Sequence, residues 1–243
     1  MVNGNFGNYG EPFYAAGKYT VKERLDLLSL LPERISCNSI LEIGCADGAN
    51  LKFFARHLKV PLSKCEGVDI CMPSNQLEDE IKFTHSSVEA YIVNSLKKFD
   101  LILLSDVLEH LYNPWMVLSQ LKSLLTQSGH LLISVPNIQN LQYLNAVNSG
   151  NFYYQKTGLF DETHIRFFSF KALKNYLSEI DFRVLGNGWR PDLSLQSMRV
   201  GIESAIRENN YANLQIGNLE INISDVTLDE YFGQQILVCA THE

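Results

Sequence analysis

The chain has 243 residues, of which 46% are hydrophobic and 19% charged, a balance that excludes a disordered or fibrous polymer and suits one large domain. Its 27 acidic residues outnumber its 20 basic ones for a net charge of −7, so nothing overall draws it to a polyphosphate, and no nucleic acid is expected as partner. No apolar run is long enough for a membrane span, and five cysteines without a C-x-x-C pair, behind an N-terminus lacking a secretory pattern, point to a reducing cytoplasm.

In chain order, residues 1–36 read as an N-terminal cap. NFGNYGEPFYAAGKYT has the Gly and Tyr content of an aromatic lid, and TVKERLDLLSLLP reads as a helix stopping at Pro32 with Leu25, Leu28 and Leu31 on one face. Residues 37–189 alternate apolar β-rich runs with helical-period segments. The runs are NSILEIG (38–44), CEGVDI (65–70), IKFTH (81–85), FDLILLS (99–105), GHLLISV (129–135) and FRVLGNG (182–188). ANLKFFARHL, a segment near 74–80, SVEAYIVNSL, PWMVLSQLKSLL and FKALKNYLSEI supply the helices. Residues 190–230 break the pattern and read as an insertion, helical over SLQSMRVGIESAIREN and irregular over NLQIGNLEINISDVTLDEYFG. Residues 231–243 carry the last strand, QQILVCATH. Alternating strands and helices with near-continuous apolar strands predict an α/β fold, a mostly parallel sheet covered on both faces.

The sharpest local pattern is the strand and turn from Ile40 to Asn50, ILEIGCADGAN, which opens a helix. Gly44 and Gly48 allow a ligand close to the backbone, and the helix start offers unpaired N–H groups. A dinucleotide site shows G-x-G-x-x-G, whereas here G-x-x-x-G follows an acid, Glu42. A carboxylate there repels a pyrophosphate and attracts an ammonium group. Asp69 ends the next strand about 20 residues beyond Gly48, where an acid takes both hydroxyls of a ribose. A ligand with an amino-acid end and a nucleoside end satisfies both acids, which describes S-adenosylmethionine. For a small-residue turn alone, a tight strand-to-helix connection is the competing reading.

At this point the chain resembles a class I S-adenosylmethionine-dependent methyltransferase. FDLILLSDVLEHL (99–111) resembles that family's fourth strand and following loop, and GHLLISVPN (129–137) its fifth strand. GLFDETHIRFFS (158–169) is similar to a signature of the subgroup found beside or fused to glycosyltransferases and surface-glycan biosynthesis. The resemblance implies a Rossmann-like seven-stranded, mostly parallel sheet whose last strand is antiparallel. It also implies that Glu42, Gly44, Cys45, Ala46 and Gly48 border the methionine part of the cofactor and that Asp69 with Ile70 holds the ribose. Ser87 and Val88 then meet the adenine, although Ser86-Ser87 stands where the family commonly has Gly-Asp. Ser105, Asp106 and Leu108 line the far side. Glu109 and His110 lean toward the acceptor, or merely cap and orient their loop.

On the acceptor side the candidates are Asn137, Tyr154 and Arg166. Were residues 163–166 extended, His164 and Arg166 would project together, His164 as a general base and Arg166 as a cation for an anionic substrate or a brace on Asp161. Phe152, Tyr153, Tyr154, Phe160, Phe167 and Phe168 offer a pocket wall, with core packing the better reading of Phe167 and Phe168. The expected reaction is O-methylation of a sugar, nucleotide-sugar or surface-glycan intermediate, releasing S-adenosylhomocysteine. Alternatives are methylation of another small metabolite on nitrogen or oxygen, a metal-assisted reaction through Asp106, Glu109 and His110, and a non-catalytic binding protein. The last of these would lose Glu42 or Asp69, and both are present. No metal is assigned to the site, and the oligomeric state is left open.

Overall fold

A computed structural model describes residues 23–73 and 79–242. The aromatic lid and most of the segment near 74–80 lie outside the described residues. The sheet strands are β1 (Ile40–Ile43), β2 (Cys65–Asp69), β3 (Lys82–His85), β4 (Phe99–Ser105), β5 (Leu125–Pro136) and β6 (Phe182–Pro191). The helices up to β6 are α1 (Leu25–Leu28), α2 (Ala49–Leu58), α3 (Val88–Asn94), α4 (Pro114–Leu121), α5 (Leu141–Ser149) and α6 (Phe170–Glu179). Then come α7 (Gln196–Asn209), a hairpin of β7 (Ala212–Ile216) and β8 (Leu219–Ile223), α8 (Leu228–Phe232) and β9 (Gly233–His242).

Seven strands form one sheet in the order β3-β2-β1-β4-β5-β9-β6. The pairs from β3 to β5 are parallel, and β9 runs antiparallel between β5 and β6. This is the predicted Rossmann-like sheet with an antiparallel final strand. Alternation sorts the side chains: Ile40, Leu101, Leu103, Leu132 and Cys239 pack with Phe53 and Phe54 of α2, whereas Leu41, Ile43, Ile102, Leu104 and Ile133 pack with Val117, Leu118 and Leu173 of α4 and α6. Glu42 shares the Ile40 face by the same alternation, which brings its carboxyl to α2.

Three expectations change. The helix expected to end at Pro32 is a single turn among the described residues, and its fully buried leucine is Leu27, while Leu25 is exposed. A helix not foreseen, α5, follows β5, with the Asn140 side chain capping its first turn through the Gln142 N–H at 2.8 Å. The stretch expected to be irregular holds the β7–β8 hairpin, which turns at Gly217 with a φ of 57° and buries Ile216, Ile221 and Ile223 with Ile206 of α7 and Phe232 of α8.

Candidate functional site

The carboxyl ends of β1, β2, β4 and β5 open into a cleft of about 1080 Å³, the place where an α/β sheet of this order leaves room for a ligand. Glu42, Gly44, Asp69, Ser105, Asp106 and Pro136 line it from the strand ends, and residues 157–164 contribute Gly158, Asp161 and His164.

Gly44 turns the chain out of β1 with a φ of 71°, and its N–H donates to the Val68 carbonyl at 2.7 Å. A Cβ on Gly44 would stand 2.7 Å from Val107 Cγ2. Gly44→Ala therefore combines left-handed strain with overpacking and is expected to cost about 2–4 kcal/mol of stability. Urea unfolding monitored by circular dichroism measures that loss; an unchanged midpoint contradicts it. Gly48, at a φ of 71°, is buried and caps α2 rather than touching the cleft. Cys45 is also buried, with its Sγ lodged where a Cβ on Gly67 would fall, 2.6 Å away, and burial pushes its thiol pKa up. Both lie behind the wall, as does Leu108, fully buried in the core.

Asp69 shapes this turn. Its Oδ2 accepts from the Ala46 N–H at 2.8 Å and its Oδ1 from the Cys71 N–H at 2.8 Å, while Ala46 takes a φ of 46°. A carboxylate has about four lone-pair positions, so acceptor capacity is left for ligand hydroxyls. Ile70 is half exposed on the cleft, Val88 is buried against it, and the Ser87 Oγ is occupied in capping α3, accepting from the Ala90 N–H at 3.2 Å.

Glu42 is 2% exposed; its Oε1 accepts from Asn50 Nδ2 at 2.7 Å, and its Oε2 has no hydrogen-bond partner. Burial pushes its pKa up to about 8 in spite of the Asn50 bond, so the ligand-free carboxyl is largely protonated at neutral pH. Asn50, which joins Glu42 to Ser105 Oγ at 3.2 Å, escaped the sequence reading.

So did Arg24. Its guanidinium, 4% exposed, donates to Asp106 Oδ2 at 3.2 Å, to Ser134 Oγ at 3.0 Å and to both carboxylate oxygens of Asp26. Gln235 Nε2 donates to Asp106 Oδ1 at 2.6 Å. These bonds hold Asp106 at a φ of 58°, a strained conformation of the kind that collects at binding sites.

The other cluster joins two distant segments. Glu109 is fully buried, neither of its carboxylate oxygens has a hydrogen-bond partner, and burial first, then the charge of Asp106, raises its pKa well above the carboxylate range. His110 Nδ1 lies 3.2 Å from the Thr163 carbonyl and 3.1 Å from Thr163 Oγ1, which itself donates to Asp161 Oδ1 at 2.7 Å. His164 Nδ1 lies 3.3 Å from the Leu159 carbonyl. A carbonyl only accepts, so in both contacts it is the ring Nδ1 that donates. The rings are 4.9 Å apart, and burial, with His164 second, lowers the His110 pKa to about 4.

Three acceptor-side candidates are placed elsewhere. Residues 161–164 form a turn, with the His164 N–H donating to the Asp161 carbonyl at 3.0 Å, so His164 and Arg166 do not alternate along an extended strand. Arg166 instead donates to the Tyr112 and Ile165 carbonyls and lies over the Tyr112 ring at 5.3 Å. Asn137 is fully buried and donates to the Glu230 and Gly233 carbonyls, tying β5 to the start of β9. Tyr154 is 62% exposed, edge-on to Phe152 and outside the cleft lining. Of the aromatic group, Phe168 is core as expected but Phe167 is 46% exposed, against the core reading, and Phe152 and Phe160 pack on buried Tyr143.

A family profile described as a methyltransferase domain matches residues 16–186. Among solved structures, a SAM-dependent methyltransferase from Archaeoglobus fulgidus is 21% identical, with 88% of this chain and 90% of that one covered and a TM-score of 0.56. The plantazolicin methyltransferase BamL, solved with a triazolic desmethylPZN analog and SAH, is 16% identical over 90% of this chain and 81% of that one, with a TM-score of 0.56. Comparison with curated protein sequences returned no match. With more than half of its length matched and the fold shared, the chain belongs to the methyltransferase domain family and is an S-adenosylmethionine-dependent methyltransferase.

Proposed function

We propose that the enzyme transfers the methyl group to an oxygen of a sugar, nucleotide-sugar or related glycan intermediate, with His164 as the group that takes the acceptor proton. The observation that carries this reading is the pair of Nδ1-protonated imidazoles beside buried Glu109 on the wall of the cofactor cleft. Methyl transfer is an in-line displacement at a sulfonium, so the protein mainly positions the partners and, for an alcohol, removes a proton. The glycan class rests on the likeness of residues 158–169 to the glycosyltransferase-associated signature. Five free thiols suit the cytoplasm as its location, and among the described residues no helix is long and apolar enough to cross a membrane.

In this reading Glu42 faces the ammonium end of the cofactor, Asp69 and Ile70 the ribose, and Ser87 and Val88 the adenine. Gly44, Ala46, Ser105 and Asp106 border the methionine part, and Arg24 offers a cation near its carboxylate. The test is a screen of nucleotide-sugars and glycan intermediates with labelled cofactor, read by mass gain on the acceptor. Labelling confined to amines, or to no member of the panel by protein that binds S-adenosylhomocysteine, overturns the acceptor assignment.

Glu42 also sets a pH dependence. A ligand ammonium favours the ionised carboxylate, so binding below about pH 8 must expel the Glu42 proton. Cofactor affinity in wild type is therefore expected to gain, relative to Glu42→Gln, as pH rises toward about 8 and to level off above it. Calorimetry of S-adenosylhomocysteine binding at pH 7 in buffers of different ionisation heat reads the proton directly. Equal proton release by wild type and Glu42→Gln contradicts the assignment.

A further inference from the structure

Building on the glycan-intermediate reading, we propose that Arg190 binds an anionic group of the methyl acceptor, a phosphate or a carboxylate, at the end of the cleft formed by β6 and the start of the insertion. The acceptor then carries an anion as well as its reacting hydroxyl, as a nucleotide-sugar does and a free sugar does not.

Sheet order brings Arg190 to the site. Because β9 runs antiparallel to both β5 and β6, β6 is parallel to β5 and its carboxyl end reaches the same edge of the sheet as the cleft. Arg190 is the last residue but one of β6, pairs across the ladder with Gln235 of β9, and lines the cleft with Pro191, Leu193 and Gln235. The chain just beyond it is anchored. Buried Asp192 accepts from Asn140 Nδ2 at 3.1 Å and from the Ser194 N–H at 3.0 Å, and its own N–H donates to the Phe232 carbonyl at 2.9 Å.

Two arginines line the cleft, and their hydrogen bonds set them apart. A guanidinium has five N–H groups. Those of Arg24 are all committed: Nε to Asp26 Oδ1 at 2.9 Å, Nη1 to Asp106 Oδ2 at 3.2 Å and Ser134 Oγ at 3.0 Å, and Nη2 to Asp26 Oδ2 at 3.1 Å and Gln235 Oε1 at 3.3 Å. Arg24 thus supplies charge but no free donor. Arg190 is partly exposed, and among the described residues it has an ion pair from Nε to Asp26 Oδ2 at 3.5 Å and a bond from Nη1 to Gln235 Oε1 at 3.4 Å. Both are longer than the roughly 2.7–2.9 Å of a close charge-assisted bond, and Arg24 holds the same two oxygens at shorter range.

The nearby acids do not neutralise Arg190 closely. Asp106 pairs with Arg24, Glu23 pairs with Arg56, and Asp26 is shared between the two cleft arginines. Burial works against ionisation of Asp26, yet its bond to Arg24 and the charges of Arg24 and Arg190 lower its pKa. Arg190 therefore keeps positive charge and a planar fork of donors for the cleft, the geometry that suits carboxylate and phosphate oxygens. Arg166, the cation that the sequence offered for this task, is turned to the Tyr112 carbonyl and lies outside the cleft lining.

The test is calorimetry of inorganic pyrophosphate on the full chain saturated with S-adenosylhomocysteine. Wild type is expected to bind one pyrophosphate per chain, and Arg190→Gln at least about tenfold more weakly, as for the loss of charge-assisted bonds. Arg190→Lys, which keeps the charge without the fork, is expected to fall between them. Far-UV circular dichroism reports whether each variant is folded; if Arg190→Gln is not, Arg190→Lys decides. S-adenosylhomocysteine affinity of the folded variants identifies the source of the anion. An affinity within threefold of wild type is expected, whereas a loss of about tenfold would assign Arg190 to the cofactor carboxylate and overturn the proposal. Pyrophosphate that does not bind wild type, or binds the folded variants equally well, overturns it too. The titration contains no methyl acceptor, so it stands if the acceptor screen finds no oxygen acceptor, and its failure leaves a neutral sugar as acceptor.

Discussion

Turnover in His164→Ala is expected to fall about 10²- to 10⁴-fold, the range set by losing a positioned acid–base group, while S-adenosylhomocysteine affinity stays at the wild-type value. The loss belongs to the acceptor step: His164 comes from the 157–164 segment, and its Nδ1 is bound to the Leu159 carbonyl within that segment. Steady-state kinetics with the acceptor found in the screen measures it. Intact turnover would move the assignment to an acceptor that needs no proton removed, such as an amine.

Asp69→Ala carries the other large effect, on the cofactor itself. Two ribose hydroxyl bonds to a carboxylate are worth about 1.5–3 kcal/mol each. Their loss together weakens binding roughly 100-fold or more. The same substitution removes the acceptor for the Ala46 and Cys71 N–H groups, which hold the turn beside Gly44. Asp69→Asn retains one side-chain oxygen and is expected to fall between wild type and the alanine variant. Calorimetry with S-adenosylhomocysteine checks both, and an alanine variant within threefold of wild type contradicts the ribose assignment.

Much of the sheet is legible along the chain because its information is local. Near-continuous apolar runs give the buried strands, helical spacing gives α2 and α6 almost to the residue, and ILEIGCADG marks a strand leaving through positive-φ glycines. The hairpin shows where a local signal was present and passed over: Gly217-Asn218 between alternating apolar residues is a two-residue turn pattern. The short α1 is different. Leu27 rather than Leu25 is buried because α1 packs against β9 and β5, strands about a hundred or more residues away in sequence.

The acceptor side was less legible for the same reason. Arg24 meets partners 82, 110 and 211 residues away, and no spacing rule links a cation near the N-terminus to Asp106, Ser134 and Gln235. Arg166 looked available in an extended reading, but the turn at Asp161 redirects it to Tyr112. By itself the sequence determined the α/β alternation, the strand-to-helix turn after β1 and the placement of two acids, Glu42 and Asp69, at the strand ends, because periodicity, glycine conformation and strand-end spacing act over a few residues. Only the tertiary structure decided which groups share the cleft wall. The Ile165 and Arg166 N–H groups donate to the Glu109 carbonyl and tie the 157–164 segment to the loop after β4, so that Glu109 and His110 meet His164 in a buried cluster.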